Sequence, residues 1–205
     1  MGTATLLKDP YNLIITGVGG QGNVLASRVL GNLLADKGFS ITIGETFGAS
    51  QRGGSVMSHM RISAEASWSP QIPQGKADMI VALEPVEALR VLHTYGHPGI
   101  KIISNTRSIY PVGVISGDQK YPSMDELKKT IEELSEKTWF IDATSAAMEL
   151  GHPIFGNIMM VGALAKTGVL PIDRDSFEKV ILRTMGKEKT PVNLKAFDMG
   201  AEMIN

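Results

Sequence analysis

Continuously apolar segments alternate with segments of helical apolar period along the first half of the chain. Residues 12–16 (NLIIT) form a short apolar run of the kind found in strands buried on both faces of a sheet. Residues 23–37 carry one apolar side and end at a Lys-Gly pair, which is typical of a helix terminus. The apolar positions of that helix are Val24, Leu25, Val29, Leu33 and Leu34. Residues 39–44 (FSITIG) have a strand pattern, so we predict a βαβ unit whose two strands are parallel.

The rest of the pattern predicts more strands and then a helical end. We predict strands at residues 56–63, 79–83, 101–104, 112–115 and 139–141, and helices at 85–95, 123–137, 143–150, 155–166, from 173 onwards and at 191–203. Residues 64–76 hold two prolines and show little periodicity, which indicates a loop. We therefore expect one α/β domain over residues 1–205, with a Rossmann-like, mostly parallel sheet flanked by helices and a helical C-terminal end.

Two of the later helices carry more detailed signals. Ser123 and Glu126 have the spacing of a capping box. The buried stripe of that helix is expected at Leu127, Ile131 and Leu134. The helix from residue 173 is expected to bury Phe177, Val180 and Ile181.

Composition excludes several classes of protein. Hydrophobic residues make up 43% of the 205 residues and charged residues 20%, so a packed core is expected rather than disorder. The formal net charge is −1 without a long run of one sign, which argues against binding to nucleic acid or an anionic membrane surface. No apolar run reaches the roughly 18 residues of a membrane span. The first twelve residues are too polar for a secretory signal, and we expect a cytoplasmic protein.

The sequence contains no cysteine. This excludes a cysteine-ligated iron–sulfur cluster, a thiolate zinc site, a disulfide and a cysteine nucleophile in this chain. The four histidines, His59, His93, His97 and His152, do not have the spacing of a histidine metal motif. We therefore predict no metal site.

A glycine turn, GVGGQG, separates the first predicted strand from the first helix. It places G-x-G-x-x-G at Gly17, Gly19 and Gly22, with Gly20 and Gln21 between them. Glycines let the chain turn tightly and bring backbone N–H groups close to an anion, and the helix that follows adds its positive N-terminal end. The turn is therefore a candidate for binding a phosphate group.

The residues alone leave the ligand of this turn open. Its context, and Glu45 near the end of the second strand, favour a dinucleotide site. Against that, Gly20 is a glycine that a dinucleotide does not require, and no Y-x-x-x-K pair for hydride transfer occurs in the sequence. The alternatives are a turn that only packs against its neighbouring strand and one that binds another phosphate or anion.

A second glycine-rich loop lies in residues 45–63 (ETFGASQRGGSVMSHMRIS). Ser50, Gln51 and Arg52 are hydrogen-bond donors, and Gly53 and Gly54 let the backbone approach a partner. An arginine among glycines is suited to a bidentate contact with a phosphate or carboxylate. The alternative is an exposed loop with a solvated arginine.

Together, the two loops resemble the gamma-type domain of 2-oxoacid:ferredoxin oxidoreductases, most of all those of the indolepyruvate type. Three later segments agree with that pattern: ADMIVALEP (77–85), GHPIFGNIMMVGALAK (151–166) and NLKAFDMG (193–200). The resemblance spans nearly the whole chain. It implies a subunit of a complex that decarboxylates a 2-oxoacid with coenzyme A (CoA) to acyl-CoA, CO2 and reduced ferredoxin.

The resemblance also implies where the cofactors lie. Thiamine diphosphate, Mg and the 4Fe–4S clusters are expected on a large partner subunit, and no catalytic residue is expected in this chain. We hypothesise that the two glycine loops lie side by side at the carboxyl edge of the sheet and face the large subunit, where they help hold CoA phosphates or shape the mouth of the thiamine site, with Arg52 as the main charged contact. The residues of this predicted site are Gly17, Gly19, Gly20, Gln21, Gly22, Ser50, Gln51, Arg52, Gly53 and Gly54. The competing classes are an independent NAD(P)- or FAD-dependent enzyme and a stand-alone nucleotide-binding module.

Five further residues carry expectations. Asn157 is expected to cap the helix at residues 155–166, with contact to a partner as the alternative. His59 and Arg61 share one face of their strand, either lining a cleft or solvated. Trp68 and Trp139 are expected to be packing residues.

Overall fold

The computed structural model describes residues 6–48 and 54–205. The strands of these ranges are β1 (Tyr11–Val18), β2 (Ser40–Phe47), β3 (Ser55–Ser63), β4 (Met79–Ala82), β5 (Lys101–Asn105) and β6 (Lys137–Ile141). The α-helices are α1 (Asn23–Asp36), α2 (Pro85–Tyr95), α3 (Val112–Ile115), α4 (Met124–Glu133), α5 (Ala143–Glu149), α6 (Gly156–Lys166), α7 (Arg174–Met185) and α8 (Thr190–Glu202). A short 3-10 helix, Pro153–Phe155, leads into α6.

The six strands form one mixed sheet in the order β2-β3-β1-β4-β5-β6. β1, β4, β5 and β6 are parallel neighbours, whereas β3 pairs antiparallel with both β1 and β2. β1 and β2 therefore run in the same direction, as the βαβ pattern predicts, but β3 lies between them. The expectation of a mostly parallel sheet missed this insertion, because the chain turns straight back after β2 and antiparallel strands need only a short connection.

Two apolar layers cover the sheet. The larger layer contains α1 and the C-terminal helices, with Leu33, Met159 and Phe177 fully buried. The smaller layer packs α2 and α4 on the opposite side, through residues such as Val91 and Ile131. The predicted burial of Phe177, Val180 and Ile181 is confirmed, and the aromatic ring of Trp139 packs at the edge of the larger layer. Trp68 is partly exposed and lies under the guanidinium of Arg61.

Residues 112–115 are a helix, and the predicted strand there is wrong. They form α3 immediately after Pro111, and Val112 is 80% exposed. A four-residue apolar run has the same local signature in a strand and in a helical turn, so only pairing with a neighbouring strand could have distinguished them.

Helix α4 confirms its predicted start and corrects its predicted end. Ser123 and Glu126 form the capping box, and Leu127 and Ile131 are buried. The helix ends at Glu133 rather than residue 137, and Leu134 is 49% exposed instead of continuing the stripe. The reason is that Lys137 already belongs to the edge strand β6, so the chain must leave the helix in time to reach the sheet.

Over the described ranges, the helices are too short or too polar to cross a membrane.

Candidate functional site

The glycine turn joins the carboxyl end of β1 to α1. Gly20 and Gly22 have φ angles of +101° and +86°, a region that side chains with a Cβ rarely adopt. Gly22 is also the N-cap of α1 and, as a glycine, has no side chain with which to cap the first turn. The helix dipole of this 14-residue helix favours an anion at that end.

Gln21 supports the turn from within. Its Oε1 accepts a hydrogen bond from the Val18 amide at 2.8 Å, and its Nε2 donates to the Leu83 carbonyl at 2.8 Å. A Cβ on Gly17 would lie 2.6 Å from that same Oε1. The Gln21 side chain thus fixes the turn against the end of β4, and Gly17 is required for this close packing.

The base of the second glycine loop lies beside the turn. The Gly19 amide donates to the Gly54 carbonyl at 2.8 Å, and the Gly48 amide donates to the Ser55 carbonyl at 2.7 Å. Ser50, Gln51, Arg52 and Gly53 lie outside the described residues. Gly54 is therefore the member of the second loop whose contact with the turn is defined.

A cleft of about 1270 Å³ opens at the carboxyl ends of the parallel strands and takes the glycine turn as part of its wall. The segment after β5, the first turn of α5 and the start of α6 complete it. The residues that supply its polar groups are Gly19, Gly20, Gln21, Asn105, Thr106, Arg107, Ser108, Thr144, Ser145, His152 and Asn157. Open α/β sheets bind ligands at this edge, and the volume exceeds that of a typical drug-sized site.

Among the residues that the structure describes, those lining the cleft are rich in donors and include no carboxylate. Arg107 supplies a permanent positive charge. His152 accepts a hydrogen bond from the Ile154 amide through Nδ1 at 3.1 Å, so the neutral ring carries its proton on Nε2. These groups favour an anionic ligand. The lining also includes apolar side chains, among them Ile109, Ile115 and Met148.

Two buried carboxylates lie behind the cleft in the first turn of α2. Glu84 is 1% exposed and accepts hydrogen bonds from the Glu87 amide at 2.8 Å, the Ile109 amide at 3.3 Å and the Tyr121 hydroxyl. Burial raises the pKa of Glu84 above its ordinary value, although these hydrogen bonds oppose the rise. Glu87 accepts a hydrogen bond from the Ser55 hydroxyl at 2.6 Å.

Several cleft residues were missed by sequence reasoning. Asn105, Arg107 and Thr144 lie within three residues after the ends of predicted strands. Because the carboxyl ends of parallel strands meet at one edge of a sheet, this position was the available signal. Asn105 donates to the Leu83 carbonyl at 3.1 Å and to the Thr144 hydroxyl at 2.8 Å. Asn157 was assigned as a helix cap, and that is wrong. Phe155 occupies the N-cap of α6, and Asn157 donates to the Gly22 carbonyl at 3.3 Å.

The position of Glu45 argues against a dinucleotide site. Glu45 pairs with Ser58 of β3, so a whole strand separates it from β1. Neighbouring strands lie about 4.8 Å apart, which puts the backbone of Glu45 about 10 Å from β1 rather than beside it. A ribose bound at the glycine turn would not have this carboxylate as its immediate neighbour.

His59 and Arg61 line neither the cleft nor solvent. Both are buried: His59 packs edge-on against Tyr95, and Arg61 donates to Asn12 Oδ1 at 3.1 Å and to the Ser69 carbonyl at 3.3 Å. Burial lowers the pKa of His59. These two residues attach the loop at residues 64–76 to the sheet.

Among the described residues, no group of three or more histidine and carboxylate side chains is placed to hold a metal ion. A cysteine-ligated cluster does not fit this chain, because the sequence contains no cysteine.

Known proteins resemble this chain over nearly its full length. The family model for pyruvate ferredoxin/flavodoxin oxidoreductase matches residues 12–203. The indolepyruvate oxidoreductase subunit IorB of Pyrococcus horikoshii is 39% identical, over 95% of this chain and 98% of its own length. The subunit of the same name from Thermococcus kodakarensis is 38% identical over 94% and 95%.

Solved structures share the fold. The gamma subunit of keto/oxoacid ferredoxin oxidoreductase from Geobacter sulfurreducens has a TM-score of 0.66 and 22% identity, covering 94% of this chain and 97% of that one. The 2-oxoglutarate:ferredoxin oxidoreductase from Magnetococcus marinus, solved with 2-oxoglutarate, coenzyme A and succinyl-CoA bound, has a TM-score of 0.73 and 22% identity. It covers 96% of this chain, which matches 31% of that longer chain.

The family model spans most of the chain, and relatives above 30% identity cover nearly all of it. The chain therefore belongs to the pyruvate ferredoxin/flavodoxin oxidoreductase family and is a small subunit of a 2-oxoacid:ferredoxin oxidoreductase.

Proposed function

We propose that this chain is the small subunit of a cytoplasmic, indolepyruvate-type enzyme and that its cleft holds CoA together with a large partner subunit. The observation that carries the ligand assignment is the cleft itself, whose described lining combines hydrogen-bond donors with apolar side chains and includes no carboxylate. The choice of indolepyruvate is supported by the two IorB relatives at 39% and 38% identity.

The chemistry of CoA matches the two sides of the cleft. Its phosphates need amide and guanidinium donors, which the residues of the glycine turn and Arg107 offer in the lining of the cleft. Its pantetheine arm needs apolar contacts, which Ile109, Ile115 and Met148 offer. When bound, CoA supplies the thiol that takes up the acyl group. Arg52, in the second loop, is proposed as a further phosphate contact or as a contact with the large subunit.

The redox chemistry is assigned to the partner. Iron–sulfur clusters of this class need thiolate ligands, and this chain has no cysteine to provide them. Thiamine diphosphate, its Mg ion and the 4Fe–4S clusters are accordingly proposed on the large subunit, which would pass electrons to ferredoxin. No residue of this chain is proposed to be catalytic.

The experiment is steady-state kinetics on the complex purified with its co-expressed large subunit. Arg107→Ala is expected to raise the KM for CoA about tenfold, because an arginine–phosphate contact is charge-assisted, with a smaller effect on kcat. Arg52→Ala is compared in parallel. Arg183→Ala is the matched control, since Arg183 pairs with Asp36 at the far end of α1, about 21 Å from the glycine turn. If Arg107→Ala and Arg52→Ala both keep the wild-type KM for CoA, kcat and subunit affinity, CoA is not held here.

Two further measurements test the remaining assignments. Indolepyruvate should give a higher kcat/KM than pyruvate or 2-oxoglutarate, and the reverse order would overturn the substrate assignment. Titration of the chain with NADH should give no saturable binding in the micromolar range. Saturable NADH binding that is lost in Glu45→Ala would instead support the dinucleotide alternative.

A further inference from the structure

The segment between β5 and α4, residues 106–121, forms the wall of the cleft opposite the glycine turn. It is called the cleft wall below. It presents Arg107, Ile109 and Ile115 to the cleft, one group for an anion and two for apolar contact. The position of the cleft wall therefore decides whether these groups reach a common ligand.

Much of the cleft wall is poorly buried. Val112 is 80% and Ile115 74% exposed, and α3 consists of a single helical turn. Burial of apolar side chains is what normally fixes such a segment. Here the middle of the wall lacks that support, so its position depends on its attachments at the two ends.

Both ends are attached to Glu84. Near the start of the wall, the Ile109 amide donates to Glu84 Oε1 at 3.3 Å. At its end, the Tyr121 hydroxyl donates to the same oxygen. The rings of Tyr110 and Tyr121 pack edge to face with centroids 5.0 Å apart, which joins the two ends to each other. The Glu84 carboxylate thus holds both ends of the cleft wall next to the sheet.

Glu84 is itself held rigidly. It follows the buried strand β4 and is the N-cap of α2, where its Oε2 accepts from the Glu87 amide at 2.8 Å. Pro85 occupies the first position of that helix. A side chain that caps a helix has little freedom to move, so it can serve as a fixed reference for the wall.

We propose that Glu84, with Tyr121, is a positioning residue: it holds the cleft wall where Arg107 and the glycine turn can act on one ligand. The role of Glu84 in fixing the cleft wall is inferred from the geometry alone. The consequence for CoA rests on the proposed function.

Hydrogen exchange of the full-length chain, followed by mass spectrometry, tests the structural part. Tyr121→Phe and Glu84→Ala should each speed the exchange of amides in residues 106–121 about tenfold or more, which corresponds to the loss of one hydrogen bond to a charged group. Asp173→Ala is the matched control, because Asp173 caps α7 through the Ser176 amide at 2.8 Å and contacts Lys37 at the opposite end of α1.

Unchanged exchange in residues 106–121 in Tyr121→Phe overturns the proposal. This variant removes only a hydroxyl, so it remains informative if Glu84→Ala does not fold. Faster exchange of the same residues in Asp173→Ala would also overturn it, because the wall would then respond to loss of any helix cap.

Kinetics of the assembled enzyme test the consequence. Tyr121→Phe should raise the KM for CoA roughly fivefold or more with a smaller change in kcat, and Glu84→Gln, which keeps one oxygen for the wall, should lie between Glu84→Ala and wild type. Faster exchange with an unchanged KM for CoA would confirm the role of Glu84 and contradict the assignment of the cleft to CoA. Unchanged exchange contradicts the role of Glu84 whatever the KM.

Discussion

The side-chain amide of Asn157 donates a hydrogen bond to the carbonyl oxygen of Gly22 at 3.3 Å, which joins the first turn of α6 to the glycine turn at the start of α1. A Cβ on Gly22 would lie 2.1 Å from Asn157 Nδ2. Two features therefore favour glycine at this position: its positive φ angle and the close contact with α6.

Gly22→Ala is expected to lower the free energy of unfolding by about 2–3 kcal/mol, because backbone strain adds to the loss of the Asn157 hydrogen bond when that side chain is displaced. Gly20→Ala is the matched comparison: its φ of +101° is equally unfavourable, but a Cβ there meets open space. We expect it to cost only about 1–2 kcal/mol. Urea denaturation of both variants measures the difference. Equal losses would show that the contact with Asn157 does not contribute.

Gly162→Ala tests the packing of α6 against α8. A Cβ on Gly162 would lie 1.9 Å from the Phe197 carbonyl oxygen, and one on Gly200 would lie 1.9 Å from that of Met159. Because backbone atoms cannot swing aside, the helices must separate, and we expect a loss of about 3 kcal/mol or more. Thermal and urea unfolding give the values.

Gly156→Ala, in the same helix, is the control for that substitution. Its Cβ would make ordinary contact with Ala143 at 3.6 Å. Alanine is a better helix former than glycine by roughly 1 kcal/mol, so this variant should be as stable as wild type or slightly more stable. A destabilised Gly156→Ala together with an unaffected Gly162→Ala would contradict the packing argument.

Arg61→Ala is expected to lower the free energy of unfolding by about 2–4 kcal/mol. Arg61 is 7% exposed, and its removal leaves the Asn12 and Ser69 acceptors without their donor. The guanidinium also lies 4.8 Å from the ring centroid of Trp68. Limited proteolysis should show earlier cleavage within residues 64–76. Arg174→Ala, which breaks an exposed pair with Asp198, should leave the free energy of unfolding nearly unchanged, because solvent screens the pair.

His59 predicts a dependence of stability on pH. Since burial lowers its pKa below 6.5, the folded chain binds fewer protons at this site than the unfolded chain. The contribution of His59 to the free energy of unfolding is therefore constant above pH 6.5 and falls on acidification below it, down to the folded-state pKa. Urea denaturation between pH 5 and 8 should show a smaller loss on acidification in His59→Gln than in wild type. Identical pH profiles would contradict this.

Glu84 changes the free energy of unfolding with pH in the opposite direction to His59. Burial raises its folded-state pKa above 4.5, so its contribution is greatest at low pH and is lost as the pH rises through that value. The free energy of unfolding of Glu84→Gln is measured against pH in the same way as that of His59→Gln. The difference between each variant and wild type reports the titration of the substituted residue alone, so the two contributions can be separated.

Local sequence signals predicted the elements well where a signal acts within a few residues. The capping box at Ser123, the proline start of α2 and the apolar run of β1 all appear where they were expected, within a few residues. Signals of the same type failed at residues 112–115 and at Leu134. The reason is that apolar character alone does not indicate whether another helix or strand packs against these side chains.

By itself, the sequence determined the glycine turn between a strand and a helix, the βαβ start, the helical C-terminal end and the family. These follow from backbone freedom at glycine, from periodicity and from motifs contiguous in the chain. Only the tertiary structure decided that β3 lies between β1 and β2, that Asn157 supports the turn, and that Glu84 holds the far wall of the cleft. Each of these depends on contacts between residues far apart in the chain, and strand order and side-chain pairing across such distances are set by which surfaces pack together, not by local pattern.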